Sequence, residues 1–369
     1  MTTRRSFTAQ LAWLGLAASP EAVLAQRALA PRDWPRDTVW LNANENPEGP
    51  PPASLEAIRR AAPDTWRYHF PALRDFNAVV AQSEQLSPDQ VVMGAGSTEV
   101  LNLAVLVFTS ATRPLITADP IFEAPAEVAR ALARPCIRVP LTSTYAADVR
   151  QMVAKAESAG GGLLYLCNPN NPTSSMTPRS DLAWLVSNLP RNTVALVDEA
   201  YLHFVDNYEQ QSALQWVREG REVIVTRTFS KLYGMAGLRV GFACGRPDLM
   251  RQLRPFRASA ISILGARAVE AALADAPKII AQRRARTAKT RGEFCEWLDR
   301  RKLRYIKPYA NFVMIEVGGD VRRIAAALAQ RNIAVGRPFP PLDTMMRVTI
   351  GSDRDMARFK EAFASVMEG

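Results

Sequence analysis

Histidine, cysteine and lysine are scarce in this chain of 369 residues, and the first two shortages each exclude a class of site. Only His69 and His203 are present, which is too few for a catalytic metal cluster, so we expect no metal centre. The four cysteines have neither CxxC nor metal-ligand spacing, so we predict free thiols. Lysine occurs seven times, so most of the 46 basic side chains are arginine and a lysine with a chemical role stands out.

The positive charge and the lack of long apolar runs limit the possible partners. The formal net charge is +10, but basic clusters such as residues 283–286 contain no interleaved aromatic residues. We interpret them as solvated helix faces and expect no nucleic acid partner. A positive field still favours small acidic substrates such as 2-oxoglutarate. Beyond the N-terminal segment no run is long enough to cross a bilayer, so we expect no membrane association after processing.

Residues 1–25 have the three regions of a signal peptide. Arg4 and Arg5 precede an apolar run at residues 11–18, and a small-residue segment ends before Gln26. Paired arginines are typical of the twin-arginine route, so we predict a periplasmic or exported protein. The alternative is a cytoplasmic enzyme whose N-terminal segment is basic by chance.

Three short apolar segments end in polar groups. Residues 91–93 are followed by GAGSTE, residues 163–167 by NPNNPT, and residues 194–197 by DEAY. Strands that alternate with helical stretches predict an α/β fold with a mostly parallel sheet. Such sheets bind ligands at the carboxyl ends of their strands. The glycine turn before a helix also offers free backbone N–H groups that suit a phosphate.

Lys231 is the one lysine between Lys155 and Lys278, and it lies in the segment TFSK with Arg239 a few residues further on. A desolvated lysine is partly neutral at working pH, as Schiff-base formation with a carbonyl requires. An ordinary surface lysine is the simpler interpretation of the isolated residue. The neighbours favour the chemical interpretation, because an amine, a carboxylate, a phosphate cup and a fixed arginine are together what pyridoxal phosphate needs.

The four segments in this order resemble the class I/II aminotransferases, a group of fold-type-I pyridoxal phosphate enzymes. The resemblance covers the chain from about Leu41 and is strongest to the histidinol-phosphate aminotransferase branch, through LNANENP at 41–47, NNPT at 170–173, DEAY at 198–201 and SK at 230–231. It implies a large domain, with a mostly parallel sheet flanked by helices, and a smaller α/β C-terminal domain. We place an N-terminal arm at 26–64, the large cofactor-binding domain at 65–255, and a linking helix with the small domain at 256–369.

The resemblance assigns the chemistry at the cofactor ring. Lys231 would bind the aldehyde as a Schiff base and then act as the acid and base that moves a proton. Asp198 would pair with the pyridine nitrogen, and Asn171 and Tyr201 would hydrogen-bond the ring oxygen. Phe122 would stack on the ring.

The phosphate and the subunit interface are assigned in the same way. The residues that would hold the phosphate are Gly96, Ser97, Thr98, Thr228, Ser230 and Arg239. Tyr68 matches a tyrosine that reaches the phosphate of the neighbouring subunit. The resemblance therefore implies a homodimer with shared sites.

Three further residues would face the substrate. Arg347 matches an anion-binding arginine, Arg337 lies near a second one, and Asn44 is carried toward the site by the arm. A guanidinium can clamp a carboxylate or phosphate in two places, although a surface position is the alternative for each arginine. The implied reaction is ping-pong transfer of an amino group from an amino acid, or a histidinol phosphate-like amine, to a 2-oxo acid such as 2-oxoglutarate.

Several positions depart from the family pattern. Ser174 stands where glycine is usual, Phe122 where tyrosine is usual, and His203 where an acidic residue is usual. The rigid apolar segment at 338–342 follows Arg337. Together with the export signal, this segment indicates a donor other than histidinol phosphate. A pyridoxal phosphate-dependent decarboxylase or a C–S or β-eliminating lyase is the alternative reaction, and a non-catalytic ligand sensor is disfavoured by the intact Lys231 and Asp198.

Overall fold

The computed structural model describes residues 34–257 and 261–368, so the predicted signal peptide at 1–25 lies outside the described residues. The strands are β1 Val39–Leu41, β2 Val91–Gly94, β3 Leu115–Asp119, β4 Cys136–Pro140, β5 Gly162–Cys167, β6 Thr193–Asp198, β7 Val223–Thr228, β8 Gly241–Gly245, β9 Phe312–Glu316, β10 Ile333–Val335 and β11 Met345–Thr349. The helices are α1 Pro52–Ala61, α2 Phe70–Ser83, α3 Ser97–Phe108, α4 Ala124–Ala131, α5 Val149–Ser158, α6 Arg179–Ser187, α7 Tyr208–Gln211, α8 Leu214–Arg218, α9 Pro247–Leu253, α10 Ile263–Leu273, α11 Ala276–Arg300, α12 Val321–Ala329 and α13 Asp353–Glu368.

A seven-stranded sheet forms the larger core, in the order β2-β8-β7-β6-β5-β3-β4. Strand β8 runs in the opposite direction to the other six strands of this sheet. Strands β5, β6 and β7 are buried along their whole length, because helices cover both faces of a mostly parallel sheet. The predicted α/β fold is confirmed, and the motifs after β2, β5, β6 and β7 meet at one edge of the sheet.

A second hydrophobic core lies around the antiparallel pair β9 and β11. Helices α12 and α13 pack on it, and strand β1 joins it by pairing in parallel with β10. The N-terminal segment thus supplies a strand that pairs with the C-terminal part of the chain. Helix α10, by contrast, packs in the larger core and against α1, where the Ser54 hydroxyl donates to the carbonyl of Ala268 at 2.7 Å.

The basic cluster on α11 is not wholly solvated, and the prediction for it is wrong at Arg283. This side chain is buried and donates to the carbonyls of Leu232 at 3.0 Å and Gly49 at 2.8 Å. The sequence predicted one helical stretch, whereas the structure has α10 and α11, separated at Ala274 and Asp275. Arg283 therefore ties α11 to the arm and to the segment that carries Lys231.

No helix within the two described ranges is long and apolar enough to cross a membrane. The four cysteines are free thiols, and Cys167 and Cys244 are buried in β5 and β8.

Candidate active site

A cavity of about 1510 Å³ lies at the carboxyl ends of the parallel strands and is closed on its other side by β10, β11 and α12. Its wall contains most of the residues singled out from the sequence, namely Asn44, Ser97, Thr98, Phe122, Asn171, Asp198, Tyr201, Thr228, Ser230, Lys231, Arg239, Arg337 and Arg347. Gly96 immediately precedes Ser97 in the chain but is not itself part of the wall, and Tyr68 does not line the cavity. Segments from both ends of the chain therefore converge on one site.

Lys231 follows strand β7 and extends its amine into the cavity. The ammonium donates to the carbonyl of Ala43 at 3.0 Å and lies 5.7 Å from the ring centre of Tyr201. Burial, with a smaller contribution from the positive charge of Arg347, lowers the pKa of Lys231 from 10.5 to about 8. A substantial fraction of the amine is therefore neutral near physiological pH and able to attack a carbonyl.

Asp198 is the last residue of β6 and is 3% exposed. Its Oδ1 accepts hydrogen bonds from the Thr226 hydroxyl at 3.0 Å and the Ala200 N–H at 3.2 Å. Burial raises the pKa of Asp198 from 3.8 to about 6. No ion pair with another described residue offsets this burial, so the carboxylate is prepared for a cationic N–H in the cavity.

The turn between β2 and α3, where the phosphate cup was predicted, places backbone N–H groups at the cavity. Gly96 has φ +81°, and a Cβ placed there would lie 2.4 Å from Nη2 of Arg239. Helix α3 begins at Ser97, so its first N–H groups face the cavity end of a twelve-residue helix. The hydroxyl of Thr228 donates to Oγ of Ser230 at 2.9 Å, and Arg239 Nη1 lies 3.4 Å from the same oxygen.

Asn44 joins the arm to the sheet edge. Its amide donates to the Tyr201 hydroxyl at 3.0 Å, and its Oδ1 accepts from Thr349 at 3.2 Å. The amide of Asn311 donates to the carbonyls of Asn44 at 3.1 Å and Glu45 at 3.2 Å. Burial raises the pKa of Tyr201, so its hydroxyl keeps its proton. Hydrogen bonds with Tyr201, Thr349 and Asn311 together hold Asn44 in place.

Arg347 lies on β11 with its guanidinium buried in the cavity wall. Nη1 donates to Oδ1 of Asn171 and Nη2 to the carbonyl of Asn42, both at 2.6 Å. Nε is buried without a hydrogen-bond partner in the described structure. Burial lowers the pKa of Arg347 to about 10, so the group is still charged at neutral pH. A buried cation without a carboxylate partner is suited to an anionic substrate group.

Arg337 also lines the cavity but is already paired. It forms an ion pair with Glu123, which immediately precedes α4, and donates from Nη1 to the carbonyl of Pro338 at 2.9 Å. Glu123 was missed from the sequence, because nothing near it in the chain indicates a partner 214 residues away.

Tyr68 lies before α2 and is 77% exposed, with its ring stacked on Phe70 at a centroid distance of 5.3 Å. The structure does not bring it to the cavity of its own chain. Its predicted role, contact with the site of a neighbouring subunit, stays a prediction.

A buried ionic network supports the DEAY motif from behind. Arg227 forms ion pairs with Glu84 at 2.6 Å and Glu199 at 2.9 Å, and Glu199 also accepts from the hydroxyl of Ser212 at 2.8 Å. These groups were not identified from the sequence. The available signal was the alternation of side chains along β7. Thr226 and Thr228 lie on the face of the strand toward the site, so Arg227 between them is directed to the opposite face.

No group of histidine, cysteine and acidic residues within the described ranges could hold a metal ion. The site instead combines a nucleophilic amine, a buried carboxylate, an anion cup and a buried arginine.

Comparison with known proteins decides the family. The family model described as "Aminotransferase class I and II" matches residues 36–363. The chain belongs to the class I and II aminotransferases. It is a pyridoxal phosphate-dependent aminotransferase, as its motifs predicted.

Individual aminotransferases are similar over nearly the whole chain. A histidinol-phosphate aminotransferase from Symbiobacterium thermophilum is 34% identical over 335 residues, which cover 90% of this chain and 91% of that protein. An aromatic amino acid aminotransferase from Cutibacterium acnes is 31% identical over 337 residues, covering 90% and 94%. The crystal structure of histidinol-phosphate aminotransferase from Sinorhizobium meliloti, in complex with pyridoxal-5'-phosphate, superimposes with a TM-score of 0.84 at 27% identity and covers 95% of each chain.

The residues present fit this cofactor. Asp198 is buried without a cationic partner, as expected of a group that receives a pyridinium N–H. Gly96 leaves room for Arg239 at the cup, where a side chain would collide with the guanidinium. The amine of Lys231 faces the same cavity with a lowered pKa.

Proposed function

We propose that this aminotransferase moves an amino group from an amino acid, or a histidinol phosphate-like amine, to a 2-oxo acid such as 2-oxoglutarate, in a ping-pong cycle. The observation that carries the proposal is that Lys231, Asp198 and Arg347 line one cavity. When bound, pyridoxal phosphate supplies an aldehyde that captures amines and a ring that withdraws electrons from Cα.

The chain's own residues would hold the cofactor at its two ends. Asp198 would accept from the pyridine N–H and favour the protonated nitrogen, Asn171 and Tyr201 would hydrogen-bond the ring oxygen, and Phe122 would stack on the ring. The phosphate would bind in the cup formed by Gly96, Ser97, Thr98, Thr228, Ser230 and Arg239.

Lys231 and Arg347 act on the substrate. Arg347 binds the carboxylate of the amino acid or oxo acid through the fork that now contacts Asn171 and Asn42. The amine of Lys231, neutral in part because of its burial, takes the proton from Cα of the donor. Asn44 limits the movement of Tyr201 during this step.

Borohydride reduction of the holoenzyme tests the assignment of the amine. We expect the reduced cofactor on the peptide that contains Lys231, and label on another lysine would contradict the proposal. In a single turnover, an amino donor should yield the pyridoxamine form and one equivalent of the 2-oxo acid. Release of carbon dioxide or a cleaved side chain would indicate the decarboxylase or lyase reaction instead.

We also propose a homodimer in which Tyr68 contacts the phosphate of the partner site. The support is its 77% exposure beside the exposed rings of Trp66 and Phe70, a patch unusual for a monomer surface. Mixing K231A and Y68F subunits tests it: hybrid dimers should contain one site with both native residues and regain activity relative to either parent.

Export by the twin-arginine route is a further proposal, supported by Arg4, Arg5 and the apolar run at 11–18. Replacing both arginines with lysine should retain the protein in the cytoplasm, as fractionation of cells would show.

A further inference from the structure

Glu123 and Arg337 form their ion pair within the cavity wall rather than in bulk solvent. Their side chains are 39% and 36% exposed, and both line the cavity that contains Lys231. A substrate side chain in the cavity can therefore reach the pair. The charge of Arg337 is already balanced by Glu123.

Phe339 fixes the position of both cavity arginines. The guanidinium carbon of Arg337 lies 4.4 Å from the centre of its ring, and that of Arg347 lies 4.6 Å from it. Arg337 also donates to the carbonyl of Pro338 at 2.9 Å. Arg347 retains a buried nitrogen without a partner and has no carboxylate contact, whereas Arg337 is paired with Glu123 through Nη2 and donates from Nη1 to Pro338.

The wall beside this pair is apolar and carries a second carboxylate. Glu127 lies one turn further along α4, and Ala325, Ala326 and Ala329 line the cavity from α12. Arg322 is also on this wall, 72% exposed and 3.9 Å from Asp320. An anionic side chain placed here would find Arg337 already paired with Glu123, whereas an apolar one would contact the alanines and Phe339.

We propose that Glu123 is a specificity-determining residue, which pairs with Arg337 and so withholds that cation from a phosphate or carboxylate on the substrate side chain. The favoured donors then carry an uncharged apolar or aromatic side chain. This inference rests on the aminotransfer proposed above. Glu123 acts by occupying the cation, because an anionic side chain must first displace the Glu123 carboxylate from Arg337.

The same pair affects the acceptor half-reaction. 2-Oxoglutarate binds only if its second carboxylate displaces or bypasses Glu123, whereas pyruvate has no second carboxylate. The acceptor preference should therefore shift in the same direction as the donor preference when Glu123 is changed.

Single-turnover kinetics of the holoenzyme test the proposal. The donors are L-phenylalanine, L-glutamate and L-aspartate, of which the last two carry a side-chain carboxylate, and the variant is E123Q, which keeps the shape of the side chain and removes its charge. We expect the efficiency for the two anionic donors, relative to L-phenylalanine, to rise about tenfold, equivalent to about 1.4 kcal/mol. In an R337Q background, E123Q should have less than a threefold effect on this ratio.

Binding of unreactive ligands provides a readout that does not depend on turnover. Glutarate and 3-phenylpropanoate share one carboxylate and differ in the distal group, and each can be titrated against the cofactor absorbance. E123Q should tighten glutarate about tenfold and leave 3-phenylpropanoate within twofold. E127Q is the matched control, because it removes a carboxylate one turn into α4 without releasing Arg337. It should have little effect on the affinity for glutarate relative to 3-phenylpropanoate.

The outcomes separate the two proposals. If the wild-type enzyme converts no donor, the proposed function fails, while the glutarate titration still decides the role of Glu123. If E123Q changes all donors and both ligands equally, the specificity role is wrong. If E123Q does not fold, the R337Q variant alone tests the inference. A selective tenfold loss for L-glutamate relative to L-phenylalanine would show that Arg337 serves anionic side chains and would overturn the inference.

Discussion

The guanidinium of Arg347 donates a 2.6 Å hydrogen bond to the amide oxygen of Asn171. Arg347, which is proposed to bind the substrate carboxylate, is thus hydrogen-bonded to Asn171, which is proposed to contact the cofactor ring. Because Asn171 is neutral, it orients the arginine without balancing its charge, and the substrate carboxylate finds the cation free to pair.

Replacing Asn171 with aspartate should therefore weaken carboxylate binding. The new carboxylate would pair with Arg347 and compete with the ligand, and we expect the dissociation constant of 3-phenylpropanoate to rise about tenfold. Spectral titration of the holoenzyme measures this. N171A is the control and should bind within threefold of the wild type; an equal loss in both variants would show that hydrogen bonding, not charge, controls the site.

The amine of Lys231 should show its lowered pKa in the apoenzyme. Attachment of pyridoxal, which lacks the phosphate, should become faster as pH rises, with a midpoint near pH 8 because the neutral amine is the reactive form. R347Q removes one positive charge that lowers this pKa, so its midpoint should move upward toward 10.5. Label on the other lysines of the same sample, measured by peptide mass spectrometry, supplies the reference. An unchanged midpoint in R347Q would contradict the prediction.

Asp198 should make the apoenzyme less stable as pH rises. Its folded-state pKa is raised from 3.8 to about 6, so its favourable contribution is complete below about pH 4 and is lost as pH rises through 6. At pH 8 the buried charge costs roughly 3 kcal/mol, and about half of that at pH 5. D198N, whose amide oxygen can still accept from Thr226 and Ala200, should gain about 1.5 kcal/mol relative to the wild type between pH 5 and pH 8. Urea unfolding of both apoproteins at the two pH values tests this, and parallel pH dependence would refute it.

Gly241 should be essential for the shape of the phosphate cup. A Cβ there would lie 2.3 Å from the nitrogen of Ser97 and 2.6 Å from the carbonyl carbon of Gly96, so the backbone of the cup would have to move. We expect G241A to weaken pyridoxal phosphate binding at least tenfold, as titration of the apoenzyme would show. G245A is a matched control on the same strand, since its Cβ meets mainly the flexible end of Met250 at 2.6 Å. It should change the cofactor affinity less than twofold; similar losses in both variants would assign the effect to strand stability instead.

Local patterns predicted the sheet and several of the polar residues that line the cavity at its edge, whereas side-chain pairings between distant parts of the chain could not be predicted. Lys231, Asp198 and the cup at Gly96 each follow a short apolar strand, and the parallel topology then places them at one edge. The pair of Glu123 and Arg337 joins an α4 flank to a loop after β10, and no sequence periodicity links them. Arg283 looked like part of a solvated cluster, because only the packing of α11 against the arm shows that its donors face carbonyls.

Strand β1 pairs with β10, so Val39 lies beside Ile333 although the two stand near opposite ends of the described chain. During synthesis the arm leaves the ribosome early, and its partner strand emerges only when the protein is almost finished. A nascent chain that stops before residue 333 cannot hold Asn44 beside Tyr201 by this strand pairing. The hydrogen bond from Asn44 to Tyr201 therefore depends on a strand that is made almost last.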